Sequence, residues 1–419
     1  MKTLLTFFVS CLCLSYPVFA QDGSPLSSEG TGAFTSYAGD RSAGMGNAGL
    51  ALIENGYINR LNPATWSGLE NVQFSGTYDF YGTTSQDNLG SSYYANGTFG
   101  GGMFAVPIVR SLGISMALGF TPMTSYQYKT NATIDSTINI PEASYEKIGD
   151  GGLGQGFAGL SFSPVSGISV GGMFTYAFGR MQSVGEVKFT NTSYQSSYSD
   201  NSVYLRAPGG SFGIVLHDLD KLTTLKFLNG LDIGAYYKTS YNLYGSYELN
   251  NVYSDAFDTV FAQSAAGYIP AEFGLGVSER FSNHLVGVLD LRSQRLSTYW
   301  DTFTPQGTLR NTLFVGGGVE FLEGRELGSL FDKRIIRVGA YYEKTQYALP
   351  TTSGGQQQVD ELFGTAGIEL PISYDATVDI SAQYGFRGLA SDLLLHERIF
   401  RIYVSFTFGE VWFLKPVGD

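Results

Sequence analysis

The chain has 419 residues, among them 54 glycines, 28 tyrosines and 30 phenylalanines, with only 15% charged residues and a net charge of −12. Its two cysteines, Cys11 and Cys13, stand near the start, which excludes a disulfide-stapled scaffold, a Cys-ligated metal centre and a cysteine nucleophile downstream of them. The acidic balance argues against nucleic acid as a partner, because phosphate backbones are bound by clustered Lys and Arg.

In chain order, the first predicted element is a leader. Met1 and Lys2 precede an apolar stretch from Leu4 to Leu14, and Val18, Phe19 and Ala20 make a small-residue cleavage site before Gln21. A cationic start, a short apolar core and such a site define a secretory signal peptide, here residues 1–20. Beyond Ala20 no stretch approaches the ~20 apolar residues a transmembrane helix needs. A chain exported this way is either soluble or a transmembrane barrel.

Residues 21–70 are rich in small side chains and poor in alternation. From Asn71 onward, segments with apolar residues at every second position recur to the end, the pattern of strands with one apolar face. The alternation predicts strands over 71–81, 92–106, 112–124, 154–163, 167–180, 202–216 and 231–248. Seven more are predicted over 269–281, 284–298, 309–322, 333–347, 359–371, 376–387 and 396–413, for a total of fourteen. Their connections alternate in length. Turns such as Pro164–Gly167 and Pro371–Asp375 are short, whereas 125–153, 181–201, 249–268, 299–308, 348–358 and 388–395 read as longer polar loops. An even strand number with short turns at one end and long loops at the other marks an outer-membrane barrel.

The expected fold is therefore all-β: a transmembrane antiparallel β-barrel over residues 71–419, in the outer membrane of a Gram-negative-type bacterium, with residues 21–70 as an N-terminal plug. Phe400, Ile402, Val404, Phe406 and Phe408 share one face of the last strand, and Arg401, Tyr403, Ser405 and Thr407 the other. A soluble sandwich would show the same split; aromatics at strand ends, where Tyr and Trp suit the headgroup level, tip the choice. Those expected in the girdles are Tyr126, Tyr128, Tyr244, Tyr247, Tyr299, Trp300, Tyr347, Trp412 and Phe413. The polar face would carry into the lumen a network of charges of both signs: Asp79, Glu272, Asp290, Arg292, Arg337, Glu343 and Arg401. Both signs are needed there, since a buried charge without a partner is very costly.

The N-terminal segment reads Ser42, Ala43, Gly44, Met45, Gly46, Asn47, Ala48, Gly49, and later Asn62, Pro63, Ala64. Its glycines allow backbone approaches that a Cβ would forbid, and Asn62 before Pro63 favours a turn. No Gly-Lys-Ser/Thr accompanies them, so a nucleotide loop is a poor rival. In motif, position and strand count the segment resembles the hatch of the FadL-type outer-membrane transporters of fatty acids and other hydrophobic compounds. The resemblance implies a hatch or gate at Gly44, Met45, Gly46, Asn47, Gly49, Asn62, Pro63 and Ala64. It also implies a lateral exit through an inward kink of the third strand, for which Gly113, Gly119 and Pro122 are the candidates because Gly tolerates bends and Pro cannot donate to the ladder. The stretch from Leu52 to Arg60 departs from the family pattern.

The expected function is plug-gated, passive uptake of hydrophobic small molecules such as long-chain fatty acids, held in an apolar pocket, with outer-membrane lipid and the ligand as partners. The alternative is a PorV-like shuttle or attachment component of a surface secretion system, which would bind secreted proteins. A general polar pore and a barrel lipid hydrolase rank lower. His217, His284 and His396 are the only histidines and show no metal-ligand spacing. No catalytic residues, metal or cofactor are expected.

Overall fold

The computed structural model describes residues 23–35, 39–88, 90–136, 141–191, 193–217, 219–220, 228–253, 256–322, 334–373 and 375–410. The leader at 1–20, the turn at 323–332 and the Trp412–Phe413 pair lie outside the described residues.

A short strand, β1 (Ala33–Phe34), precedes the wall. The wall then runs through β2 (Val72–Gln86), β3 (Ser91–Val109), β4 (Ile114–Pro122), β6 (Tyr128–Ile134), β7 (Ala143–Val165), β8 (Ile168–Phe189) and β9 (Ser197–Leu216), with β5 (Thr124–Ser125), between β4 and β6, in a separate two-stranded sheet with β1. It continues through β10 (Leu231–Lys238), β11 (Tyr241–Tyr253), β12 (Ala256–Ile269), β13 (Glu272–Ser282), β14 (Leu285–Gln294) and β15 (Trp300–Asp301). It ends with β16 (Thr312–Leu322), β17 (Ile335–Pro350), β18 (Gln356–Pro371), β19 (Ala376–Arg387) and β20 (His396–Glu410). Each of β4–β6, β10–β11, β12–β13 and β14–β15 continues one wall strand, so the barrel has fourteen antiparallel strands, closed where Val72 pairs with Glu410 and Gln86 with His396.

The faces are inverted relative to a soluble protein. Phe80, Leu118, Phe174, Phe212, Leu289, Phe321, Val338, Ile380 and Phe400 are exposed on the outside, while Ser75, Thr77, Glu320, Arg337, Thr365 and Gln383 are buried within. Burying charge while exposing large apolar side chains is stable only when the outer medium is itself apolar, which separates a lipid-embedded barrel from a sandwich with the same alternation.

Two expectations need correction. The long loops at 125–153, 181–201 and 249–268 are mostly strand: β7 and β8 have 23 and 22 residues, about twice the span a membrane strand requires. Above the bilayer both faces meet water, so the apolar alternation that marks a strand fades while the hydrogen-bonded ladder continues. Of the expected girdle aromatics, Tyr128, Tyr299 and Tyr347 are buried inside, and Tyr126 and Tyr247 line an internal recess; Tyr244 and Trp300 are exposed.

Candidate functional site

Inside the wall lies the N-terminal segment, and its motif residues make the contacts that seat it. Asp40–Ala43 forms one helical turn ending at Gly44. Thr365 Oγ1 donates to the Gly44 carbonyl (3.0 Å) and accepts from Gly46 N–H (2.9 Å). Gln383 Nε2 donates to the Ala43 carbonyl and to Asn47 Oδ1, both at 2.8 Å. Asp290 accepts from the N–H groups of Gly49 (2.7 Å) and Leu50 (3.1 Å). Asn62 caps the turn Pro63–Gly68 by accepting from Ala64 N–H, and its amide donates to the Leu50 carbonyl (2.8 Å). Trp66 is wholly buried, its indole N–H on the Asn59 carbonyl at 2.8 Å.

The wall answers these contacts with cross-strand glycine pairs. Gly318 and Gly339 pair across β16 and β17, and a Cβ on either would collide with the Met45–Gly46 backbone. Gly171 and Gly213 pair across β8 and β9 against Asn62 and Pro63. Close backbone approach is what an absent Cβ permits. The sequence hinted at this only through its glycine surplus, since no spacing along the chain tells which strands will lie side by side.

Charged side chains clamp the same segment. Arg41 donates through Nε to Glu320 (2.6 Å) and pairs through Nη1 with Glu54 (2.6 Å). Arg337, fully buried, reaches Glu320 (2.8 Å), Glu369 and Asp379. Arg60 bridges Asp40 (2.8 Å), Thr77 and the Gly100 carbonyl. Of the charges expected in the lumen, Asp290 holds the segment directly, and Arg337 fixes Glu320, the partner of Arg41. Asp79, Glu272, Arg292, Glu343 and Arg401 instead line a cavity of about 280 Å³ further out.

That cavity is not the uniformly apolar pocket expected. Lys238, Glu361 and Arg387 complete its charged wall, interleaved with Phe34, Phe314, Tyr341 and Tyr403. Tyr341 stacks on Phe363 and packs at a tilt against Phe314, with Arg292 over Phe314 and Arg401 over Phe363. Both signs lie beside aromatic faces, so the cavity can hold a polar group as well as an apolar one. A second recess of about 430 Å³ opens outward between Met181, Leu205, Tyr247, Phe303, Lys147 and Glu29. Burial raises the carboxyl of Glu29 above its ordinary range.

The third wall strand is broken where the cavity meets the wall. β4 pairs with β3 as far as Phe120 and with β7 as far as Pro122. The chain then turns inward and β5 pairs with β1, Phe34 opposite Thr124, extended by Thr35 N–H to the Met123 carbonyl (3.0 Å). β6 rejoins β7 at Tyr128. Among the described residues β3 pairs with the third strand only over Gly102–Val109. Above that, Tyr94 and Thr98 of β3 and Met123–Ser125 with Gln127 opposite line the cavity, and Asn96 reaches across to the Gln127 amide oxygen. Of the kink candidates, Pro122 is the last residue before the departure. Gly113 ends the β3–β4 turn with φ 59°, and Gly119 lies in the regular ladder opposite Met103.

A closed fourteen-strand barrel with an apolar exterior, its N-terminal segment lodged inside and its third strand diverted inward, is an outer-membrane protein of the FadL-type fold, and the chain resides in the outer membrane. A family model described as BamG matches residues 1–417, and the chain belongs to that family. Among solved structures, a Pseudomonas aeruginosa FadL homologue is 15% identical, with a TM-score of 0.58 over 90% of this chain and 99% of that one. The CymD monoaromatic hydrocarbon channel is 15% identical, with a TM-score of 0.58 over 89% and 98%. The Pseudomonas putida toluene transporter TodX is 13% identical, with a TM-score of 0.57 over 90% and 99%. No curated protein sequence matches the chain.

Proposed function

We propose that the protein is a passive outer-membrane channel for hydrophobic and amphipathic small molecules, long-chain fatty acids among them, with residues 21–70 as its plug. Ligand enters the outer recess, passes to the luminal cavity and leaves sideways into the outer leaflet between β3 and β6. The observation that carries this reading is the third strand, which stays bonded to β7 through Met123 N–H (2.8 Å) and Tyr126 N–H (2.9 Å) but parts from β3 beside the cavity and pairs with β1 on that side. That the structurally similar proteins include a toluene transporter and a monoaromatic hydrocarbon channel supports the class of cargo. The charged half of the cavity favours cargo with a polar end over a bare hydrocarbon. No step of this reading is chemical; the protein works by shape and partition.

The test is a staple across the opening. In proteoliposomes, Asn96→Cys with Gln127→Cys should take up a long-chain fatty acid when reduced and lose most of that uptake when oxidised, with recovery on adding dithiothreitol. Uptake unchanged by oxidation of a demonstrably formed disulfide would defeat the lateral route.

A second reading, a protein-binding component of a surface secretion system, is favoured by the height of β7, β8 and β9, which rise far beyond the bilayer. It predicts a stoichiometric protein partner and no bound lipid on native purification.

A further inference from the structure

The lipid-facing wall carries a basic pair that neither the plug nor the cavity uses. On β8 and β9 the outward positions hold Phe174, Phe178, Phe212 and Ile214, all exposed. Arg180 and Arg206 continue the same outward rows and are exposed as well. Arg180 stands opposite Tyr204, and Arg206 stands opposite Phe178 on one side and Tyr244 on the other. The two arginines are thus diagonal neighbours on adjacent strands, the separation at which long side chains meet.

Their height along the strands follows from counting. Arg180 is 12 residues above Ile168 and Arg206 is 10 residues above Leu216 (180 − 168 and 216 − 206), those two residues being paired at the periplasmic end. A tilted membrane strand crosses the hydrocarbon in about 9–11 residues, so both guanidinium groups stand at the outer headgroup level. Each lies over a tyrosine ring, Arg180 at 5.5 Å from Tyr204 and Arg206 at 5.0 Å from Tyr244. Ring contact fixes the plane of a guanidinium while leaving its N–H edge to donate. Arg180 also donates to Ser202 Oγ at 2.9 Å. The nearby carboxylate, Asp200, is engaged by the Gln182 amide at 2.7 Å. Among the described residues neither arginine forms an ion pair.

We propose that Arg180 and Arg206, framed by Tyr204 and Tyr244, form an outward-facing site for the phosphate of a phosphorylated glycolipid in the outer leaflet. Two adjacent forks match a tetrahedral oxyanion, with bidentate geometry available from each. The chain's net charge of −12 repels such a surface as a whole, so a local basic pair is what lets this flank sit against it. The site is independent of the transport reading, because it faces lipid and not the lumen.

The test is lipid retention. The full-length protein, stripped in detergent, is offered a phosphorylated lipid A-type glycolipid, its dephosphorylated form, or inorganic phosphate, and bound lipid is counted by native mass spectrometry. The expected result is one phosphorylated lipid retained, with about tenfold less in Arg180→Gln/Arg206→Gln and partial retention in Arg180→Lys/Arg206→Lys. Heat-modifiable gel migration checks that each variant is a folded barrel, and the single Gln variants serve if the double one is not. Equal retention by the folded Gln variants, or equal binding of the dephosphorylated form, would overturn the site. Displacement by inorganic phosphate at the lipid's own concentration would overturn the lipid assignment.

Discussion

Arg337 concentrates more of the interior's electrostatics than any neighbour: Glu320, Glu369 and Asp379 all converge on it, and Glu320 in turn holds Arg41 of the N-terminal segment. A buried pair replaced whole can be neutral, but removing one partner strands the other in a low-dielectric interior. Arg337→Gln should therefore destabilise the barrel by about 3–5 kcal/mol, read as a lower urea midpoint for loss of heat-modifiable migration. Glu29 gives a pH-dependent counterpart. Burial in the docked segment favours its protonated form, so the docked state binds more protons than the released one. Docking is then strongest below the ordinary glutamate range and weakens as pH rises through the raised value. Limited proteolysis of the segment should be faster at pH 7.5 than at pH 4.5, and Glu29→Gln should narrow that difference.

At the scale of elements, the third strand belongs to two sheets at once. Phe34 and Thr124 face each other in the β1–β5 pair, a separation suited to a disulfide. Phe34→Cys with Thr124→Cys should, when oxidised, fix the segment to the wall and arrest uptake without lowering barrel stability; single-channel or uptake traces before and after reduction measure it. The sequence hides this device. Strand number and the inward charges were legible because a membrane strand must alternate, and the charged residues of β14, β17 and β20 fall on the expected face. Met123–Gln127 gave no such signal, because a strand that turns inward still alternates and its new partner lies some ninety residues earlier in the chain. Pro122 alone carried a hint, as a residue unable to donate to a ladder. Tyr128, Tyr299 and Tyr347 misled for a related reason: chemistry that suits a headgroup also suits a damp interior.

For the whole molecule, the segment's seats are distributed around the circumference, on β8 with β9, on β14, on β16 with β17, and on β18 and β19. Deleting residues 23–64 should leave a closed but wider barrel, since the wall's own ladder does not pass through the segment. Planar-bilayer recording should then show a steady ion conductance absent from the full chain; a silent deletion variant that still inserts would contradict the plug assignment.

The β1–β5 pair has a thermodynamic consequence. Because the same backbone groups of Met123–Ser125 cannot bond both to β1 and to the edge of β3, docking of the segment and closure of the wall compete for one set of donors and acceptors. Whatever stabilises one of these states must disfavour the other by the same free energy. A cargo molecule that loosens β1 would thereby seal the side wall behind it, and one that wedges the wall open would tighten the plug. The two barriers would work as an airlock, coupled with no input beyond the cargo's own binding.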